Sequence, residues 1–195
     1  MRRATIVACS AVLLAACATA RQYLALRQVA FNIDRVQGTR LAGVLLDHVR
    51  QPNDISPFDY ARITAAVLRH QVPLEFDLHV QGNNPAENNT TARLMRFQWV
   101  LSLNGRETVN GVLDTSYTFS PGAPTDVRIP IQLDLAQFYN SSAQDALDLA
   151  LGLAGLSSKQ TDIELRAVPT IDTPLGPIRY PNPIIVRRTV GGAGQ

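Results

Sequence analysis

Two alternating runs that meet at Asn104-Gly105 constrain this chain more than any other stretch. On the first arm Phe97, Trp99, Leu101 and Leu103 share one face, with Gln98, Ser102 and Asn104 between them. On the second arm Val109, Leu113, Tyr117 and Phe119 take the matching positions. A period of two is that of a pleated strand with one side buried, and Asn-Gly suits a two-residue type I′ turn because both central residues need positive φ. The spacing predicts a hairpin from Phe97 to Phe119 at the centre of a sheet, with Trp99 as a core anchor.

The flanking segments supply partners for that hairpin. Val29, Phe31 and Ile33 predict a first strand closed by a turn at Gly38, and Leu41 to Val49 a second strand. Ser56-Pro57-Phe58-Asp59 reads as a helix start, with a capping serine, proline in the first turn and aspartate at the positive end of the dipole. On that helix, to about His70, Phe58, Tyr60, Ala61, Ala65, Val67 and Leu68 form a wide apolar arc that predicts packing on a sheet. From Pro73 the period returns to two: Leu74, Phe76, Leu78 and Val80 are placed inside, and Glu75, Asp77, His79 and Gln81 outside. Gly82-Asn83-Asn84-Pro85 breaks the strand, Glu87 to Thr91 reads as an exposed loop, and Ser120-Pro121-Gly122 as a turn. The run Val127, Ile129, Ile131, Leu133 and Leu135 predicts a strand that Pro130 assigns to an edge or a bulge. Ser142 is placed to cap a second helix that stops at Gly155, and Ile163 to Val186 predicts two or three closing strands with proline-rich turns. The pattern is that of a mainly β protein: an antiparallel immunoglobulin/fibronectin III-like β-sandwich with one or two added helices.

Before this domain the chain carries an address. Arg2 and Arg3 precede an apolar run from Ala4 to Ala16, the build of a secretory signal and too short to span a membrane as a helix. The run ends Leu14-Ala15-Ala16-Cys17, which resembles the lipobox of bacterial lipoproteins, whose cysteine becomes the lipidated first residue. The expected division is therefore a signal over 1–16, a lipidated cysteine and short tether over 17–28, the sandwich over 29–188 and a flexible tail over 189–195. The tether Ala18 to Gln28 reaches at most about 40 Å when extended. Ala18, rather than aspartate, after the cysteine points to the outer membrane facing the periplasm by the sorting rule of such lipoproteins. Without Arg2 and Arg3 the 18 basic residues fall to 16 and match the 16 acidic ones, so the mature chain has no electrostatic footprint for nucleic acid. With Cys9 removed, Cys17 is the last thiol, and a disulfide framework is excluded.

The order of elements resembles the folded late embryogenesis abundant (LEA) type 2 family, whose unit is the water stress and hypersensitive response (WHy) domain. The resemblance rests on Leu41-Ala42-Gly43-Val44, the capped helix, the strand ending in Asn84-Pro85, the arm with Asn104-Gly105, and Thr173-Pro174-Leu175-Gly176. It covers about Val29 to Val186; the family's usual Asn-Pro-Asn stands here as Asn84-Pro85-Ala86. It implies a fibronectin-like sandwich with added helix, a role in dehydration and stress, and no active site to carry over.

The residues themselves agree with that absence of chemistry. His48, His70 and His79 lack metal-ligand spacing, Glu75 and Asp77 read as solvated strand residues, and there is no nucleophile elbow or phosphate loop. No catalytic residue, no metal and no cofactor beyond the lipid on Cys17 is expected. The expected partners are the membrane, through that lipid, and client proteins or envelope components. Asn83, Asn84, Pro85, Thr173 and Pro174 are the candidate interaction loops, with turn formation as the simpler role of the Asn-Pro pair.

Overall fold

In the computed structural model, residues 19–47, 49, 54–138, 143–157, 159–171, 173 and 176–192 are described. Residues 19–28 form a helix (α1), although this stretch was expected to be a tether. The reason is local: Ala20, Arg21, Gln22, Leu24, Ala25, Leu26, Arg27 and Gln28 are all strong helix formers. Ala25, Leu26 and Val29 fall at helical spacing and are buried, so α1 packs on the domain.

Four strands build the first sheet: Ala30–Leu41 (β1), Val44–Leu45 (β2), Pro73–Asn83 (β3) and Pro124–Asp134 (β8), in the order β2-β1-β3-β8. Gly38 does not end β1. It sits at φ 66 in a bulge where the register passes from Gln37↔Asp77 to Arg40↔Glu75, and the strand runs on. The turn comes at Ala42-Gly43, both at positive φ, and reduces the expected second strand to two residues. Pro130 lies on β8, the edge strand of this sheet, as its missing N–H requires.

The second sheet holds Arg96–Leu103 (β5), Arg106–Leu113 (β6), Thr161–Ile171 (β9), Ile178–Arg179 (β10) and Ile184–Val190 (β11). Its order is β10-β9-β5-β6, and β11 pairs with the earlier part of β9. β11 thereby runs through Val190, into the stretch expected to be a tail. The central hairpin turns at Asn104 (φ 50) and Gly105 (φ 75), and Phe97, Trp99, Leu101 and Leu103 are all buried. Its second arm is shorter than expected. β6 stops at Leu113, and Tyr117–Phe119 (β7) leaves to pair with Ala92–Leu94 (β4) in a separate two-stranded ribbon. The indole of Trp99 covers Gly111 on the facing strand, where a Cβ would come 2.6 Å from Cζ2.

The two sheets meet over one apolar core, in which Leu41, Leu74, Leu78, Leu101, Leu103, Ile129 and Ile131 are fully buried. Arg188 reaches across from β11 and donates to the Ile33 carbonyl (3.0 Å) at a bulge of β1. The helices Pro57–Leu68 (α2) and Ala143–Leu153 (α3) lie at the Leu41–Pro73 end. In α2 the Ser56 hydroxyl accepts from the Asp59 N–H (3.1 Å), and His70 at φ 52 closes the helix. The expected broad packing of α2 is not found, since only Ile63 and Ala66 are buried. α3 stops at Gly155 with the paired bonds Leu156 N–H to Leu151 and Gly155 N–H to Gly152 of a glycine-terminated helix. Its proposed cap, Ser142, is outside the described residues.

Candidate functional site

The loop after β3 was the first candidate for an interaction site, and its central residue is not on the surface. Asn84 is 2% exposed. Its Nδ2 donates to the carbonyls of Phe119 (2.8 Å) and Thr90 (3.1 Å), and its Oδ1 accepts from Asn88 Nδ2 (2.7 Å). Asn88 also donates to the Ala25 carbonyl of α1 (3.1 Å), and the Asn84 carbonyl accepts from Gly122 N–H (2.8 Å). Asn84 therefore ties the end of β3 to β7, to its own loop and, through Asn88, to α1. A partner cannot reach its amide without unfolding that knot. Asn83, by contrast, is half-buried at the strand end, with Nδ2 near Asn32 and Gln81, and Pro85 is exposed at the loop tip. Asn88 falls within 87–91, the stretch whose polarity predicts an exposed loop; two asparagines four apart in a polar run give no sequence signal of burial.

Thr173 is buried too, and its hydroxyl donates to the Gly176 carbonyl (2.7 Å), closing its own turn. Pro174 and Cys17 lie outside the described residues. Tyr180, next to that loop, stacks on Tyr23 of α1 with ring centroids 4.9 Å apart. Burial, then the neighbouring Tyr23, raises the Tyr180 phenol above its ordinary 10.0. The folded protein thus holds this proton more tightly than the unfolded chain, so its contribution is whole below pH 10.0 and is lost as pH rises through the raised value. Stability followed by urea unfolding should fall above pH 10.0, and Tyr180→Phe should flatten that fall.

On the outer face of the first sheet, charges of three strands meet. Arg128 donates to Asp77 (2.7 Å), His79 Nδ1 lies 2.8 Å from Asp126, and Arg35 pairs with Asp34 and approaches Asp126 (3.6 Å). His79 was expected on a wet face but is buried, because β3 is flanked on both sides and Arg35 and Arg128 stand opposite it in register. Glu75 and Asp77 do not pair as acid and base; Asp77 is engaged by Arg128. Among the described residues, no three His, Cys, Asp or Glu side chains gather as a metal site, and no helix is long and apolar enough to cross a membrane.

No family model matches the sequence. Nor does a search of curated proteins return a match. Among solved structures, a protein described as a late embryogenesis abundant protein, At2g46140.1, overlaps at TM-score 0.41 and 14% identity, covering 98% of this chain and 87% of its own. AT1g01470 from Arabidopsis thaliana overlaps at TM-score 0.41 and 21% identity, over 60% of this chain and 70% of its own. A protein from Archaeoglobus fulgidus overlaps at TM-score 0.35 and 14% identity, over 63% and 88%. These are partial likenesses of chain trace. The class that the coordinates define by themselves is a mainly β, antiparallel sandwich with three α-helices among the described residues.

Proposed function

We propose that this protein is a non-enzymatic lipoprotein of the cell envelope, anchored through Cys17 and acting in protection of clients or envelope surfaces under stress or desiccation. One observation carries the reading. The Leu14-Ala15-Ala16-Cys17 box stands two residues before a helix, described from Thr19, that is seated on the sandwich through Ala25, Leu26 and the Tyr23–Tyr180 stack. An anchor on Cys17 would hold the domain by that one end, close to the membrane: the ten helical residues rise about 15 Å, well short of the extended reach. The LEA type 2 resemblance of the sequence supplies the stress role, and the polar groups that the loops offered for chemistry are spent on holding the fold. In the test, a labile enzyme is dried or heated with and without the protein at equal mass. Protection clearly above that of albumin is expected; protection equal to albumin would remove the stress role.

A second reading, a structural docking subunit of a periplasmic or outer-membrane assembly, is favoured by the exposed apolar side chains of α2. Recovery of one stoichiometric partner from membranes favours docking, and many weak clients favour protection.

A further inference from the structure

The outward face of α2 is apolar. Ile63 and Ala66 carry its buried side, while Phe58 and Leu68, 71% and 77% exposed, stand with Ala61 and Ala65 on the opposite side. Positions 58, 61, 65 and 68 step by three, four and three, the a/d spacing of a coiled-coil seam. Phe58 and Leu68 lie about 15 Å apart along the axis. The two alanines between them leave a saddle in which another helix can come close. Arg62 and Arg69 share one flank of this seam and line a cleft of about 360 Å³ with Gln71, Pro73 and Asp134, whose Oδ1 is held by the Val72 and Ala136 N–H groups, so the arginines outnumber the one acid there. Neither arginine has an ion-pair partner among the described residues; the Arg62 guanidinium lies 5.3 Å from the Phe58 ring centroid.

Charge decides what can cover this face. A second copy, laid antiparallel so that Phe58 meets Leu68, would bring the two copies' Arg62 side chains level with each other, like charges at the flank. Residues 1–18 of this chain contain Arg2 and Arg3 and no acid, which is the wrong complement. An anchor at Cys17 would put the membrane at the far end: β3 runs from Pro73, beside α2, to Asn83, at the end where α1 packs, over eleven residues or about 36 Å. We propose that α2 docks an amphipathic helix of a partner protein, apolar along its seam and carrying Asp or Glu on the edge that meets Arg62 and Arg69. This inference deepens the docking reading and rests on it.

The experiment titrates the purified protein with two labelled helical peptides that share a Leu/Ala seam, one with Glu and one with Lys on the flank. The Glu peptide should bind at least about tenfold more tightly, and the double variant R62E/R69E should reverse that order. F58S/L68S should lose both peptides with an unchanged unfolding midpoint, because these side chains are exposed. Equal affinities, no binding, dimerisation abolished by F58S/L68S, or α2-dependent binding to phosphatidylglycerol vesicles in preference to the peptide would each overturn the proposal. Crosslinking in membranes separates the two levels: no stoichiometric partner removes docking itself, and a partner kept by F58S/L68S removes only the assignment to α2.

Discussion

Phe119→Ala should lower the unfolding free energy by about 3–5 kcal/mol, the cost of a large cavity in a close-packed core. Phe119 is fully buried, its ring meets Phe31 edge-on at 5.3 Å between centroids, and it fills the space left by Gly82. A Cβ at Gly82 would fall 2.8 Å from Phe119 Cδ1 and closer still to Cε1, so the glycine is there to admit the ring. Gly82→Ala should therefore destabilise the protein by about 1–3 kcal/mol through overpacking, and less so beside Phe119→Leu, where the smaller side chain can move aside. Urea unfolding at constant m-value checks both numbers. A loss below about 1 kcal/mol for Phe119→Ala would mean that the ribbon of β4 and β7 is not part of the core.

Asn84→Ala should cost about 3 kcal/mol, because it takes the side-chain donor from the carbonyls of Phe119 and Thr90 and removes one of the two bonds of Asn88 Nδ2 in a largely buried site. Asn84→Asp is the sharper variant. It keeps an acceptor for Asn88 but turns a charge towards two carbonyl oxygens, so it should lose at least as much. Amide exchange should localise part of the effect to α1, which hangs on Asn88 through the Ala25 carbonyl. Were Asn84 an exposed contact residue of an interaction loop, both substitutions would change stability by less than about 0.5 kcal/mol.

The sandwich and its central turn could be read from sequence because their signals are local. Alternation fixes which strand face is buried, and Asn104-Gly105 encodes two adjacent positive φ values that few other pairs tolerate. Gly38 shows the limit: a bulge and a turn both need a left-handed glycine, and only the register of the neighbouring strand tells them apart. Ala42 at φ 49 carries no such signal, so from sequence the turn at Ala42-Gly43 looks like strand. Burial of polar groups was equally hidden, since Asn84, Asn88 and His79 are interior only because of what other segments place against them. In α2 the period was right and the burial inverted: the helix keeps Ile63 inside and leaves Phe58 and Leu68 in water. Tertiary contact decides that side, and the amphipathic pattern alone does not.

The proposed role at the envelope depends on the anchor at Cys17. Intact mass and N-terminal fragmentation of the protein taken from membranes measure it directly. The expected result is loss of Met1 to Ala16 and an acylated Cys17 as the first residue. An unmodified Cys17, or a mature chain beginning elsewhere, would contradict it.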